Sequence, residues 1–346
     1  MNNHEVEQHT HDTTLSVIYS TDTNYIPHMA ASMLSLMEHN TNIEAIKFYI
    51  LDGGIEESDK AKVNSLCAKY DREVFFISVK EKLATACLAT SFNLNAYGRL
   101  FAADYITEPV ALYLDCDTIV AGSLKELAST DLEGYWAAGA QDTVSKEMRD
   151  IIGLQAEERY VNSGVLLMNL ELWRKDKVED KFRECIRQYN GNVPHNDQGI
   201  INAVCHEHMK ILNIEYNAND TALFYKSEQL KMLFEMPTYY NDDDLKVAKQ
   251  TPRIIHYTEA HYGRPWFSDC IHPYKDKYIQ CRKLLTDKWV WNPQKGPPKK
   301  AVMRIVKIVL YHIIPFSLYT KLMIDKRRKK EQRIIQAVTI QPDDAK

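Results

Sequence analysis

The sequence lacks the cysteine patterns that organise small secreted domains and zinc sites. Its seven cysteines are an odd number, are scattered along the chain and include no C-x-x-C pair. This pattern argues against a disulfide framework or a zinc knuckle and favours a reducing compartment. Two common phosphate-binding loops are also missing, because neither G-x-G-x-x-G nor G-x-x-x-x-G-K-[ST] occurs in the sequence.

Long apolar runs are absent as well. The N-terminal MNNHEVEQHTHD is polar and acidic, so we expect no secretory signal. No stretch of 18 apolar residues occurs, so we expect no membrane-spanning helix. Hydrophobic residues nevertheless make up 45% of the 346 residues. This content suffices for a sizeable core and argues against global disorder.

The net charge of −4 is unevenly distributed. Residues 299–333 hold eleven Lys and Arg against Asp325 and Glu331, which gives this segment a charge of +9 and leaves the body acidic. Such an asymmetry indicates a second partner for the tail. Nucleic acid is not expected as that partner, because an acidic body repels phosphates.

Apolar, β-branched stretches alternate with helical patterns through most of the chain. This alternation predicts an α/β fold with a mostly parallel, Rossmann-like sheet flanked by helices. The predicted strands are 15–20, 46–51, 74–79, 111–114 and 164–170, and the predicted helices include 27–39, 56–70, 178–189 and 196–206.

The stretch ALYLDCDTIV, residues 111–120, ends an apolar run with two carboxylates. Asp115 and Asp117 follow a predicted strand at its carboxyl end, where open α/β sheets bind ligands. Two carboxylates on one side repel each other, and a hard divalent cation removes that repulsion. A metal held there can stabilise a diphosphate leaving group. Taken alone, D-x-D is more typical of a solvated loop with two acidic residues.

Six motifs in order resemble retaining glycosyltransferases of family 8, which include bacterial lipopolysaccharide galactosyl- and glucosyltransferases and glycogenin. The resemblance covers roughly residues 14–275 and is closest to the lipopolysaccharide galactosyltransferase branch. It implies a GT-A fold and transfer of galactose or glucose from a UDP-sugar to a saccharide hydroxyl with retention of configuration. The motifs are STDTNYIPHMAASMLSL (20–36), YGRLFAADYI (97–106), LYLDCDTIV (112–120), YVNSGVLLMNLELWR (160–174), HNDQGIIN (195–202) and IIHYTEAHYGRPW (254–266).

The resemblance implies a metal site made of Asp115, Asp117 and His256. Two carboxylates with one imidazole suit Mn²⁺, or Mg²⁺, better than Ca²⁺. Read without the family, His256 is a core histidine at the end of a short apolar stretch.

The resemblance also implies which residues bind the donor. Asp22 and Asn24 match positions at the uracil and ribose, with Tyr25 near the base, although Asp and Asn also favour turns. Arg99 matches a contact to the donor sugar or phosphate, or else forms a surface salt bridge.

Four further positions surround the donor sugar. Asp142 and Asn162 match residues beside the sugar, and Asp197 with Gln198 matches the pair beneath the anomeric carbon. Read alone, Asp197 is equally an acidic residue at a helix N-terminus.

The sequence departs from the family pattern in the block after His256. Glu259 stands where the family has glycine, the loop is longer, and Arg264 replaces the usual lysine. Arg264 keeps the charge needed for a diphosphate contact, although its geometry differs from that of lysine.

We divide the chain into a flexible N-terminus (1–13), a catalytic domain (14–285), a linker (286–298) and a basic tail (299–346). Apolar residues 302, 305, 306, 309, 310 and 313 fall at helical spacing beside cations. The tail therefore predicts attachment to an anionic membrane surface, peripheral on the cytoplasmic face. A packed terminal helix and a nucleic-acid-binding tail are the alternatives.

Two other functions are weighed against a UDP-hexose transferase acting on a saccharide or lipid-linked saccharide. One is a non-catalytic relative that binds sugar nucleotide or serves as a membrane scaffold, which the complete set of metal residues disfavours. The other is a glycosidase that uses Asp115 and Asp117. Glycosidases place their two carboxylates on opposite sides of the bond, whereas these two come from one strand end.

Overall fold

A computed structural model describes residues 14–88 and 94–339. Ten strands in this part form two sheets. The strands are β1 (Thr14–Thr21), β2 (Ala45–Asp52), β3 (Glu73–Ser78), β4 (Val110–Leu114), β5 (Thr118–Val120), β6 (Ala137–Gln141), β7 (Val161–Asn169), β8 (Met209–Leu212), β9 (Ala218–Asn219) and β10 (Ile254–His256). The N-terminus predicted to be flexible lies outside the described residues.

Helices pack on both faces of the larger sheet and alternate with its strands along the chain. The first eight are α1 (Ile26–His39), α2 (Glu57–Lys69), α3 (Lys80–Thr85), α4 (Ala102–Tyr105), α5 (Lys125–Ala128), α6 (Lys146–Ile151), α7 (Leu170–Lys175) and α8 (Val178–Gln188). The others are α9 (Asn196–Cys205), α10 (Asp220–Phe224), α11 (Ser227–Phe234), α12 (Asp242–Gln250), α13 (Lys275–Leu284), α14 (Pro298–Ile313) and α15 (Phe316–Thr339). Short 3₁₀ helices span Leu94–Phe101, His206–His208 and Ile214–Asn217.

The larger sheet has seven strands in the order β3-β2-β1-β4-β7-β6-β8. Neighbouring strands are parallel except at β7, which runs antiparallel to both β4 and β6. The prediction of an α/β fold with a mostly parallel sheet is confirmed. The smaller sheet, β5-β10-β9, places His256 at the end of its central strand.

The five predicted strands and the four predicted helices listed above are present, with ends shifted by up to three residues. Near-continuous apolar residues make β1, β4 and β7 buried on both faces. Pro27 lies in the first turn of α1, where proline is common in helices. Five strands were not predicted, namely β5, β6, β8, β9 and β10.

The segment between α13 and α14, predicted as a linker, packs against the body through Trp289. This side chain is buried, and its indole N–H donates to Asp59 Oδ1 in α2 (2.9 Å).

The basic tail forms two helices that contact the body. Tyr319 of α15 is fully buried, and its hydroxyl is hydrogen-bonded to that of Tyr225 (2.7 Å). Arg328 of α15 pairs with Glu147 (2.8 Å) and Glu235 (2.7 Å). The side of the tail that faces the body is thus packed against it, as in a packed terminal helix. No described helix is long and apolar enough to cross a bilayer.

Candidate active site

The candidate site lies where the direction of strand connection reverses. From β1 the chain adds β2 and β3 on one side and then returns to place β4 on the other. The carboxyl ends of β1 and β4 therefore border a crevice, which is where open α/β sheets bind ligands. Asp22 follows β1, and Asp115 follows β4.

Backbone hydrogen bonds hold the Asp115–Asp117 turn between β4 and β5. The Asp115 N–H donates to the carbonyl of Gly164 in β7 (2.8 Å). The N–H of Tyr257, just after β10, donates to the carbonyl of Asp117 (3.0 Å). The turn is thereby fixed against the strand that carries His256. This explains how Asp117 and His256, which are 139 positions apart in the chain, come together.

Asp115, Asp117 and His256 converge on one point. His256 Nε2 lies 3.3 Å from Asp117 Oδ1 and 3.7 Å from Asp115 Oδ2. One ligand atom from each residue falls within 4.8 Å of the others, so a single divalent cation fits between them. The oxygen and nitrogen donors suit Mn²⁺ or Mg²⁺. The convergence that the resemblance implied is present, while the identity of the metal stays a prediction.

Asn217 fixes the tautomer of His256. The Asn217 amide donates through Nδ2 to Asn162 Oδ1 (2.9 Å), so its own oxygen faces His256 Nδ1 (3.0 Å). That oxygen can only accept, so Nδ1 carries the proton and Nε2 presents a lone pair to the metal position. Burial also lowers the pKa of His256. A neutral imidazole is the form that binds metal.

Arg99 is buried beside Asp115 and lines the cavity described below. It donates to Asp115 Oδ1 (2.7 Å) and to the Ser163 carbonyl (2.6 Å), and its guanidinium stacks on Tyr113 at 3.9 Å from the ring centroid. Burial is the largest influence and raises the pKa of Asp115, but the charge of Arg99, the neighbouring His256 and the hydrogen bonds from Tyr113 and Arg99 together outweigh it, so the pKa is lowered. Arg99 therefore keeps Asp115 ionised and ready to bind a cation.

Asp197 is the second carboxylate that contacts Arg99. Its Oδ2 lies 3.2 Å from Arg99 Nε and accepts from the Ser163 hydroxyl (3.3 Å). Burial raises the pKa of Asp197 to about 6, against the lowering effect of Arg99. Asp197 lies in the first turn of α9, a typical position for an acidic residue, and it also lines the cavity described below.

Gln198, in the first turn of α9, links this helix to β7 and to Asp142. Its side-chain oxygen accepts from the Ser163 N–H (3.1 Å), and its amide nitrogen donates to Asp142 Oδ2 (3.2 Å). Asn162 donates to the same Asp142 oxygen (2.8 Å). These hydrogen bonds fix the orientation of Gln198, which lines the cavity described below, and a fixed amide can distinguish sugar hydroxyl positions.

The residues predicted at the nucleotide end follow β1. Asp22 Oδ1 accepts from the N–H groups of Asn24 (2.9 Å) and Tyr25 (3.3 Å), which shows that Asp22 does form a turn. Its other oxygen accepts from Asn95 Nδ2 (3.1 Å). Asn24 and Tyr25 are exposed, and Tyr25 lies edge-on to Trp266.

The loop after His256 keeps a glycine-like shape despite its glutamate. Glu259 has φ +65°, in the left-handed region that favours glycine. Its carboxylate pairs with Lys300 of α14 (2.9 Å) and lies 3.8 Å from Arg264. Arg264 also contacts Asp117 directly. Arg264 is thus beside the metal position, and Glu259 links its loop to the tail.

A cavity of about 370 Å³ lies at these strand ends. Seven of the twelve predicted site residues line it: Tyr25, Arg99, Asp115, Asp117, Asp197, Gln198 and Arg264. Asp142, Asn162 and His256 are not part of this lining: Asp142 is hydrogen-bonded to Gln198, Asn162 to Asp142, and His256 Nε2 lies 3.3 Å from Asp117 Oδ1. Asp22 and Asn24 lie at the adjoining end of β1.

Glycine is required at position 164 because the side chains of His256 and Asp115 approach it closely, and not because of its backbone angles. A Cβ placed there would lie 2.3 Å from His256 Cε1 and 2.5 Å from Asp115 Oδ2. Any larger residue would push the metal ligands apart. The glycine of the N-[AS]-G motif therefore leaves the space that His256 and Asp115 occupy.

Several functional side chains were not predicted. Asn217, Ser163 and Tyr113 position His256, Asp197 and Asp115, respectively. Ser163 and Tyr113 lie within the motifs given above, so the sequence did contain a signal for them. Asn217 lies outside all of them, in NIEYNAND, and carries no sequence signal of its role.

The fold and the clustered carboxylates and histidine define a GT-A glycosyltransferase. The sequence matches the Glycosyl transferase family 8 profile over residues 16–270. The chain belongs to this family.

Relatives agree with this assignment. A putative glycosyltransferase of Haemophilus influenzae is 32% identical over 60% of this chain, which spans 64% of that protein's length. A lipopolysaccharide 1,2-glucosyltransferase of Escherichia coli K12 is 25% identical, with 87% of each chain covered. The galactosyltransferase LgtC, solved with donor and acceptor sugar analogues, is 25% identical with a TM-score of 0.67, covering 79% of this chain and 96% of that one.

Proposed function

We propose that this protein is a metal-dependent, retaining hexosyltransferase that moves galactose or glucose from a UDP-sugar to a saccharide hydroxyl. The observation that carries the proposal is the convergence of Asp115, Asp117 and His256 on the wall of a cavity at the sheet's switch point. The E. coli relative and LgtC support a hexose donor and a role in lipopolysaccharide or other cell-surface glycan synthesis.

The divalent cation would supply electrostatic stabilisation of the departing UDP. Around it, Arg264 adds a positive charge at the same end of the cavity, while Asp22, Asn24 and Tyr25 offer polar and aromatic groups to the uridine. Arg99, which lines the cavity as well, pairs with Asp115 and Asp197 and holds them in place. Preorganised charges of this kind act without reorganising during the reaction.

The side chains beneath the sugar favour a front-face reaction. Gln198 has a weakly basic amide, and both ends of that amide are already hydrogen-bonded. Asp197 is a better nucleophile, but its charge is engaged by Arg99. In a front-face route the bond from the anomeric carbon to the UDP oxygen breaks, and the bond to the acceptor oxygen forms on the same side. The released phosphate oxygen takes the acceptor's proton.

UDP release tests the proposal. We expect release from UDP-galactose or UDP-glucose with Mn²⁺, and loss of it in Asp117→Asn with the fold intact. Asp243→Asn is the matched control, because Asp243 is exposed on α12, away from the cavity. Absence of release with either donor and with varied acceptors would instead favour the non-catalytic, sugar-nucleotide-binding alternative. Full activity of Asp117→Asn would refute the metal assignment.

The tail is proposed to hold the enzyme at an anionic membrane surface, where lipid-linked saccharide acceptors lie. Supporting this, α14 exposes the apolar residues that were predicted at helical spacing, except for the packed Leu310. The exposed ones are Val302, Ile305, Val306, Val309 and Ile313. Such a face beside many cations is typical of a peripheral membrane helix. The location would be the cytoplasmic face of the membrane.

A further inference from the structure

A second cavity lies between the tail and the body. It has a volume of about 500 Å³, and its apolar wall includes Leu233, Phe234, Tyr319 and Met323. A cavity of this size is typical of small-molecule sites. Apart from Ala260 and His261, its lining lies outside the six motifs, and the metal site does not account for it.

Three lysines line this cavity without a carboxylate partner. Lys307 comes from α14, and Lys326 and Lys330 come from α15. In the described part of the chain, no ion pair or hydrogen bond involves any of the three ammonium groups. Arg327, which also lines the cavity, is by contrast paired with Glu235 (3.3 Å) and Glu331 (3.7 Å).

Lys326 and Lys330 are close enough to Lys307 for their charges to act on its ammonium group. Burial lowers the pKa of Lys307, and the charges of Lys326 and Lys330 lower it further. An anion placed among them would remove this repulsion, by the same reasoning that applies to paired carboxylates and a cation.

A buried histidine adds a second indication of a ligand. His261 lines the cavity and is only 6% exposed, and its Nδ1 has no hydrogen-bond partner within residues 14–88 and 94–339. Its Nε2 is 3.1 Å from the Tyr225 hydroxyl. Buried polar atoms are normally satisfied, so an unpartnered one at a cavity wall is a candidate ligand contact.

Two features connect this cavity to the proposed donor site. Ala260 and His261 line it, and the loop that carries them runs from His256 to Arg264. Lys330 also lies near His195, a residue of the donor cavity. Burial lowers the pKa of His195, and the charge of Lys330 lowers it further. A ligand held here would therefore lie beside the residues that face the donor.

We propose that this cavity binds a phosphate group of the acceptor, with the apolar wall contacting the group that the phosphate carries. Lysines bind phosphate as point charges, whereas carboxylates are usually recognised by the paired nitrogens of arginine. The assignment of this phosphate to the acceptor rests on the proposed transferase activity, whereas the binding of phosphate does not depend on that activity.

Calorimetric titration of the full chain in EDTA at physiological salt tests this inference without donor or turnover. The probes are dihexanoyl phosphatidic acid below its micelle concentration, glucose 6-phosphate and inorganic phosphate. The cavity variant is Lys326→Gln/Lys330→Gln. The control is Lys321→Gln/Lys329→Gln, which removes the same charge from exposed positions of α15 that do not line the cavity.

We expect saturable binding of at least one organic phosphate, weakened about tenfold or more in the cavity variant and unchanged in the control. Tighter binding of the phosphatidic acid assigns a lipid phosphate, and tighter binding of the sugar phosphate assigns a phosphorylated saccharide. Absence of saturable binding, or equal losses in both variants, would overturn the proposal. UDP release is measured separately, so either claim can fail alone.

Discussion

At the scale of single residues, Asn217 is the clearest case of a side chain that acts through another. It holds His256 by one hydrogen bond and is itself held by Asn162. We expect Asn217→Ala to weaken Mn²⁺ binding about 10- to 100-fold, as loss of such outer partners does in other metal sites. Titration of Mn²⁺ by electron paramagnetic resonance measures this. Asn217→Asp keeps an acceptor for Nδ1 and should retain more affinity; equal affinity in all three proteins would refute the role.

Asp197 predicts a pH-dependent contribution to stability. Its pKa is raised by burial from the ordinary 3.8 to about 6, so the folded state binds the proton more tightly than the unfolded state. Its contribution is therefore most favourable below about pH 4 and is lost as the pH rises through about 6. At neutral pH the loss is at most about 3 kcal/mol.

The comparison with Asp197→Asn isolates this effect from other titrations. Urea denaturation from about pH 4 to about pH 7, without metal, should show wild type losing free energy of unfolding relative to the variant as the pH rises. A difference that stays constant over this range, or moves in the opposite direction, would contradict the environment described for Asp197.

The sequence predicted site residues best where chemistry and motif coincide. The Asp115–Asp117 pair was marked by an apolar run that ends in carboxylates. His256, however, needed the family resemblance, because a lone histidine after an apolar stretch is also typical of a core. Asn217 gave no signal, since its role depends on two contacts made only in the folded chain.

At the scale of elements, strands with long apolar runs were predictable and short ones were not. β6 reads AAGAQ, which has weak strand propensity, and lies in the sheet because β7 and β8 pair with it. β5 and β10 have three residues each, too few for a periodic signal. These unpredicted strands nevertheless bring His256 to the aspartates.

The packing of α15 against the body also has a testable basis at this scale. Tyr319 is fully buried and bonded to Tyr225. Tyr319→Ala should destabilise the docked tail by roughly 3 kcal/mol or more, as removal of a buried aromatic ring does. Hydrogen exchange should then rise in α14 and α15 while β1 and β4 stay protected. Unchanged protection of the tail helices would show that Tyr319 does not hold them.

At the scale of the whole molecule, the tail combines an inward face that packs and an outward face that exposes apolar residues. We expect the protein to co-sediment with phosphatidylglycerol-containing vesicles and to bind phosphatidylcholine vesicles less. Ile305→Ser/Val309→Ser changes two exposed residues of α14 and should lower the bound fraction severalfold without loss of helicity. Equal binding of the variant, or no preference for anionic lipid, would contradict the membrane proposal.

The central claim is that one divalent cation lies between Asp115, Asp117 and His256 and faces the diphosphate of a UDP-sugar. A crystal structure with Mn²⁺ and UDP, read by anomalous scattering at the manganese edge, tests it most directly. The account predicts one anomalous peak within coordination distance of all three side chains, with diphosphate oxygens beside it. Bound UDP with no peak at this position, or a peak at other residues, would contradict it.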